Sequence, residues 1–345
     1  MLVTQAREAA RRWVLAEAGK VPGFCGAYYA GSVTWLPDDA VLPATSDLDV
    51  MVVLADANPP LTPGKLIYED VLLEVSYIAR DRLASPEQVL GDYHLAGAFR
   101  TPSIIVDPSG HLTALQAAVA REYARRQWVR RRCEHAADEV RRWARSLDEA
   151  APLQDQVAAC GLAAGGTTHV LLVAALENPT VRRRYAAVRE VLTAYGRLDT
   201  HEPLLALLGC AAMDRPRVEH HLDAVTAAFD AAKVAIKTPY RFGSDISDAA
   251  RPISIDGSRE LIERGLHREA VFWIVATFSR CRAIFAADAP DLLARFDRDY
   301  RELLANLGIG SVQDRHQRCA EVEAFLPRLW AVAEETLAAN RQISE

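Results

Sequence analysis

The texture of the sequence changes near residue 110, and that change limits the architecture more than any other feature. Up to about Asp107, short apolar runs of β type are punctuated by Pro and Gly. Beyond Leu112 the apolar residues recur at helical spacing, with few β-branched runs. Strands followed by a long series of helices point to an α/β part and a separate all-α part. A chain of 345 residues suits two domains of ordinary size. The boundary is expected at 111/112, giving domains 1–111 and 112–345.

In the first part a helix is expected over Val3–Ala18, ended by Gly19 and Pro22-Gly23. Strands are expected at Cys25–Ala30, Leu48–Leu54, Leu66–Tyr68, Val71–Ile78 and Ser103–Val106, with Glu69-Asp70 as a hairpin turn. Ser85-Pro86-Glu87 reads as a helix start, with Ser capping and Pro at the first position. In the second part Leu112–Leu147 reads as one long helix. Further helices are expected at Leu153–Ala163, Thr168–Leu176, Val181–Tyr195, Pro203–Met213, Val218–Ile236, Arg268–Ala286, Pro290–Asn306 and His316–Asn340. Lys237–Ser258, rich in Pro, Gly, Ser and Asp, is the one long irregular segment, a kind that is usually functional or disordered.

Composition excludes several classes. Half the residues are apolar and a quarter charged, which rules out disorder for most of the chain. Net charge is −6, so the molecule as a whole lacks the basic footprint of a nucleic-acid binder. No apolar run approaches the ~20 residues of a membrane span. The N-terminal stretch mixes Arg and Glu with apolar residues, unlike a signal peptide, so a cytoplasmic protein without a membrane partner is expected. The six cysteines lie far apart with no CxxC pair and read as reduced, mostly buried thiols.

The chemically informative stretch is Gly31-Ser32, then Asp47-Leu48-Asp49, then Glu74. Side chains alternate along a strand, so Asp47 and Asp49 point the same way, just where Met51-Val52-Val53-Leu54 enters a buried sheet. Two close carboxylates repel unless a cation lies between them or one takes a proton. A divalent ion is the natural answer, and oxygen-only ligands favour Mg²⁺. Glu74 is a lone acid in the apolar run Val71–Ile78, where a charge is costly unless paired or metal-bound. Free of metal, Glu74 should have a raised pKa; bound to metal, it should be ionised. Gly31-Ser32, a turn expected between strand and helix, offers backbone N–H groups and a hydroxyl to an anion.

Together, Gly31-Ser32, Ser46-Asp47-Leu48-Asp49-Val50 and Glu74-Val75-Ser76 resemble the nucleotidyltransferase superfamily of DNA polymerase β. The aminoglycoside nucleotidyltransferase-like branch is the nearest in pattern. Phe99–Leu112 resembles the segment closing that domain. The resemblance covers about Val21–Ala118, and the connection from Ser32 to Asp47 is longer here than in that family. It implies an α/β nucleotidyltransferase domain with a mixed β-sheet, followed by an all-α helical bundle that completes the substrate cleft. It also implies Mg²⁺-dependent transfer of AMP from ATP to a hydroxyl of a small molecule such as an aminoglycoside, releasing pyrophosphate. Asp47, Asp49 and Glu74 would hold one or two Mg²⁺ ions, with Glu74 alternatively taking the acceptor proton, and Gly31 and Ser32 would hold phosphates. A Lys of the helical domain often meets the triphosphate in this superfamily, which makes Lys237 and Arg241 nucleotide-binding candidates. The alternatives are transfer to RNA or protein, or a catalytically silent nucleotide-binding or interaction protein.

Several weaker signals accompany these. Arg121–Arg145 holds nine Arg and four acids with Trp128 and Trp143 interleaved; it reads as a solvated face over a Trp-containing core, or as an RNA- or triphosphate-facing helix. Asp245, Asp248 and Asp256 would suit a cationic acceptor, and His267-Arg268-Glu269 an acceptor pocket. Gly165-Gly166-Thr167-Thr168 looks like a phosphate cradle but lacks the following Lys and reads better as a turn with an N-cap. Glu219-His220-His221, being adjacent, do not share a face and argue against a metal site.

Overall fold

The computed structural model describes residues 1–345. The fold is mixed α/β, with one five-stranded mixed sheet and 13 helices that make the chain 62% helical. The chain divides into two compact units, Met1–Arg132 with Gln342–Glu345, and Cys133–Arg341. This division differs from the one drawn at 111/112. The helix His111–Glu122 belongs to the first unit because its Leu112, Leu115 and Val119 fill a core with sheet residues Tyr28, Val53 and Ile78. The last residues join the same unit through backbone bonds: the Arg126 N–H donates to the Ser344 carbonyl at 2.8 Å and the Ser344 N–H to the Ala124 carbonyl at 3.0 Å.

The strands are β1 (Phe24–Ala30), β2 (Leu48–Leu54), β3 (Gly64–Tyr68), β4 (Val71–Ala79) and β5 (Ile104–Val106), in the order β3-β4-β2-β1-β5. Only β2 and β4 run parallel; the other neighbours are antiparallel. Glu69 and Asp70 form the expected turn between β3 and β4, with φ of 48° and 62°. Positive φ at both central residues gives the mirror-image turn whose twist suits a two-residue hairpin. Alternation along β2 sends Leu48, Val50, Val52 and Leu54 to one face, where the helix Val3–Ala16 contributes Val3, Ala6, Ala10 and Val14. The opposite face carries Val53 and Ile78 against Leu90, Phe99 and Leu112. The sheet is thus covered by helices on both faces, and Asp47 and Asp49 fall on the second face at the N-terminal end of the central strand β2. Ser85 caps the helix Pro86–Gly91 as its sequence indicates, accepting from the Gln88 N–H at 3.3 Å.

Helix boundaries differ from expectation in instructive ways. The expected helix Leu112–Leu147 is two, His111–Glu122 and Arg126–Arg145. At the break, Arg132, only 2% exposed, donates to the Tyr123 carbonyl at 2.7 Å. Conversely, Leu153–Ala163 and Thr168–Leu176 merge into one helix, Leu153–Ala174. Its glycines are there for packing: a Cβ on Gly165 would lie 2.6 Å from the Phe272 ring, and one on Gly166 2.9 Å from Val140 Cγ2. Thr167 and Thr168 are fully buried, and their hydroxyls donate to the carbonyls of Ala164 and Gly165. That excludes both a cradle and a turn.

The irregular segment from Lys237 is shorter than expected, ending in a π-helical turn, Pro252–Asp256, that runs into the helix Gly257–Glu263. Two helices of the second unit, Leu153–Ala174 and His267–Asp288, are long and apolar enough to cross a membrane by length and composition alone. Their apolar windows are 78% and 67% buried, as expected of core helices. All six cysteines are free thiols.

Candidate metal and phosphate site

Parallel pairing of β2 with β4 sets Asp49 beside Glu74, and antiparallel pairing of β1 with β2 sets Ala30 beside Asp49. Neighbouring residues in register share a face, so the Gly31 bend, Asp49 and Glu74 converge, with Asp47 two residues earlier on the same face. Carboxylate oxygens of Asp47, Asp49 and Glu74 all lie within 4.8 Å of one another. Thr62 fixes β4 at this point: its hydroxyl donates to the Val75 carbonyl at 2.5 Å and accepts from the Tyr77 N–H at 3.2 Å.

Gly31 is required at its position. Its φ is +60°, and a Cβ would fall 1.7 Å from Asp49 Oδ2. The Asp49 carboxylate therefore occupies the space that any other side chain at 31 would fill. Ser32 Oγ lies 3.2 Å from Ser46 Oγ, which draws together the two ends of the long connection. Residues 31–34 form a single 3-10 turn, Gly31–Thr34, rather than the α-helix expected there. The favourable dipole of a long helix is thus missing, and only backbone amides and the Ser32 hydroxyl are on offer to an anion at this bend. The Thr34 hydroxyl closes this turn on the Gly31 carbonyl at 2.9 Å, and Arg7 donates to the Val33 carbonyl at 2.7 Å.

Lys65 is the member of the site that the sequence reading missed. Its side chain is 4% exposed, and its ammonium lies 2.9 Å from Asp47 Oδ2 and 2.5 Å from Glu74 Oε2. The signal was present: with Glu69-Asp70 as a two-residue turn, hairpin register pairs Lys65 with Glu74.

The carboxyls respond differently to this setting. Burial pushes Asp47 up, but the Lys65 ammonium and the hydrogen bonds from Glu74 and Lys65 outweigh it, holding Asp47 below the usual carboxylate value. Asp49 is driven well above that value by burial, then by the charges of Asp47 and Glu74. A carboxyl so placed takes up a proton or a cation. The donor set fits a divalent ion in its chemistry: three carboxylates offer oxygen-only ligands, and one of them lies against a bend with no room for a Cβ.

The remaining candidates lie in the second unit. The Lys237 N–H donates to Asp288 Oδ2 at 2.7 Å, and the Arg241 guanidinium lies 5.2 Å from the centre of the Phe242 ring. Asp245 is paired with Arg280 at 3.2 Å and Asp248 with Lys233 at 2.6 Å, so neither stands as an uncompensated acid. Arg268 binds Glu202, while Glu269 is buried near Arg189 and His201. The His221 ring meets the Asn306 amide at 3.0 Å. In the Arg-rich helix, Arg141 and Arg142 pair with Asp138 and Glu139, and Trp128, itself part of the first unit, packs on that unit's core.

Compared with protein-family models and with curated proteins, the chain matches none.

Proposed function

We propose that this chain is a Mg²⁺-dependent nucleotidyltransferase that moves AMP from ATP to a hydroxyl of a small-molecule acceptor. The observation that carries the reading is the convergence of Asp47, Asp49 and Glu74 beside the Gly31-Ser32 bend. The acceptor oxygen attacks the α-phosphorus, the bond from that phosphorus to the bridging oxygen breaks, and pyrophosphate leaves. The acceptor proton passes to a carboxylate. Asp47 and Asp49 would hold the metal, with Glu74 as a third ligand or as the proton acceptor. Bound there, the ion would neutralise charge on phosphate oxygens and favour both attacking and leaving oxygens. Ser32 and the Gly31–Ser32 amides hold the departing phosphates. An aminoglycoside-like antibiotic is the favoured acceptor class; RNA and protein acceptors are the alternatives. The net charge of −6 suits a cationic small molecule better than a polyanion.

Two measurements test this. A non-hydrolysable ATP analogue with Mg²⁺ should raise the melting temperature of the wild type and not of Asp49→Ala. Pyrophosphate should be released from ATP in the presence of an aminoglycoside panel. Absence of both effects would weaken both enzyme readings together and leave the catalytically silent reading standing. Stabilisation without release on any aminoglycoside would point to a macromolecular acceptor.

A further inference from the structure

We infer that Cys160 and Cys319 are a reversible redox lock: a peroxide-class oxidant joins their sulfurs in a disulfide that ties two core helices together. The inference concerns the second unit and is independent of the proposed transfer reaction. Cys160 belongs to the helix Leu153–Ala174 and Cys319 to the helix Val312–Ala339. Hydrogen bonds at both ends set these helices side by side and pointing the same way. Near their starts Arg315 donates to Gln156 Oε1 at 2.9 and 3.2 Å; at their far ends the Asn340 amide donates to the Ala175 carbonyl at 3.0 Å. Cys160 follows Gln156 by one helical turn, and Cys319 follows Arg315 by one turn. Residues one turn apart share a face. The two thiols therefore meet just beyond the Gln156–Arg315 bond, where Cys160 donates a hydrogen bond to Cys319 Sγ. Ala159, Ala163 and Ala164 beside Cys160 are buried and small, which favours the close backbone approach that a disulfide demands.

The pair is also divided into an attacking and a resolving sulfur. The hydrogen bond from Cys160 holds the Cys319 thiol below its ordinary value, against burial and Glu323 and with help from Arg318. The same bond, followed by burial, raises Cys160, which keeps its proton. The thiolate is the nucleophile, so Cys319 Sγ attacks the peroxide: an S–O bond forms and the O–O bond breaks. The displaced hydroxide takes up the proton that Cys319 gave up and leaves as water. Cys160 Sγ then attacks the sulfenic sulfur; the S–S bond forms, the S–O bond breaks, and a second water leaves with the Cys160 proton. Two electrons pass from the sulfurs to the peroxide, and an added dithiol returns them.

The test treats the folded full-length protein with hydrogen peroxide and counts thiols after denaturation, with and without dithiothreitol. Two of the six thiols should be lost and then regained on reduction. Peptide mapping without reduction should show Cys160 linked to Cys319. The oxidised protein should melt about 5–10 °C above the reduced one, because a cross-link between helices distant in sequence restricts the unfolded chain. Cys319→Ala should show neither the link nor the shift, whereas Cys25→Ala, which removes the only thiol that is not buried, should keep both. Circular dichroism confirms that each variant is folded, and the peptide map of the wild type decides the linkage without them. The inference is overturned if Cys160 and Cys319 stay reduced, if either links to another cysteine, or if dithiothreitol fails to restore them. It is equally overturned if the linked protein melts no higher than the reduced one.

Discussion

Replacing Gly31 by Ala isolates what the bend contributes to the site. Its φ of +60° costs a residue with a Cβ about 1–2 kcal/mol, because the left-handed region brings that carbon against the carbonyl oxygen. The new carbon would also stand 1.7 Å from Asp49 Oδ2 and 2.7 Å from its Cγ, so the carboxylate has to leave its place. Driving a side chain off its rotamer adds about 0.5–1.5 kcal/mol, for a total of about 1.5–3.5 kcal/mol. Gly110 provides the control. Its φ is +76° and nothing lies within 4 Å of a Cβ built there, so Gly110→Ala should meet only the backbone part. Both substitutions restrict the unfolded chain equally, and that contribution cancels in the comparison. Denaturant unfolding followed by far-ultraviolet circular dichroism should place Gly31→Ala about 1 kcal/mol below Gly110→Ala. Calorimetry with Mn²⁺ should show binding lost in the first variant and kept in the second. Equal stability of the two variants, with metal affinity intact in both, would refute the claim that Asp49 is held against the bend.

Two further predictions concern the second unit. Arg315 is 3% exposed and donates to Gln156 Oε1 and to the carbonyls of Ile309 and Gly310. Arg315→Met strands these acceptors and should cost about 2–4 kcal/mol in denaturant unfolding, against less than about 0.5 kcal/mol for the exposed Arg298→Met; equal effects would show the network to be unimportant. Burial, which outweighs the nearby Glu269, holds His201 below the ordinary imidazole value of 6.5; burial and then His220 do the same for His221. In the unfolded chain both rings protonate first as pH falls, so their contribution is complete above about 6.5 and is lost as pH drops through the lower folded values. Urea midpoints measured from neutral pH downward should fall below that value, and the fall should be shallower in His221→Gln; an unchanged slope would contradict the assignment.

What the sequence disclosed depended on the distance over which each feature is decided. Asp47 and Asp49 share a face because alternation is a two-residue property, and Ser85 caps its helix through a bond three residues long. The Glu69-Asp70 turn was equally local, and simple counting from it reaches Lys65 opposite Glu74. The helices went wrong where a distant partner decides. Gly165-Gly166 read as a break until Phe272 and Val140 are seen to fill the space that side chains would need. The break at Tyr123 is maintained by buried Arg132, nine residues on. The turn after Ser32 proved to be one 3-10 turn, anchored by Arg7 from the N-terminal helix, and no local pattern records that anchor.

The same division of local and distant causes explains why a group of like charges persists at the site. Three carboxylates within 4.8 Å would separate if their backbones were free to move. They are not free: β2 lies between β1 and β4, and Thr62 fastens β4 beside Glu74. Strain of this kind is relieved by charge rather than by motion. Lys65 supplies part of the relief, to Asp47 and Glu74, and Asp49 is left with its affinity for protons raised. A rigid sheet that holds three carboxylates together, beside a bend with room for no side chain, thus stores its repulsion in Asp49 as a raised affinity for protons.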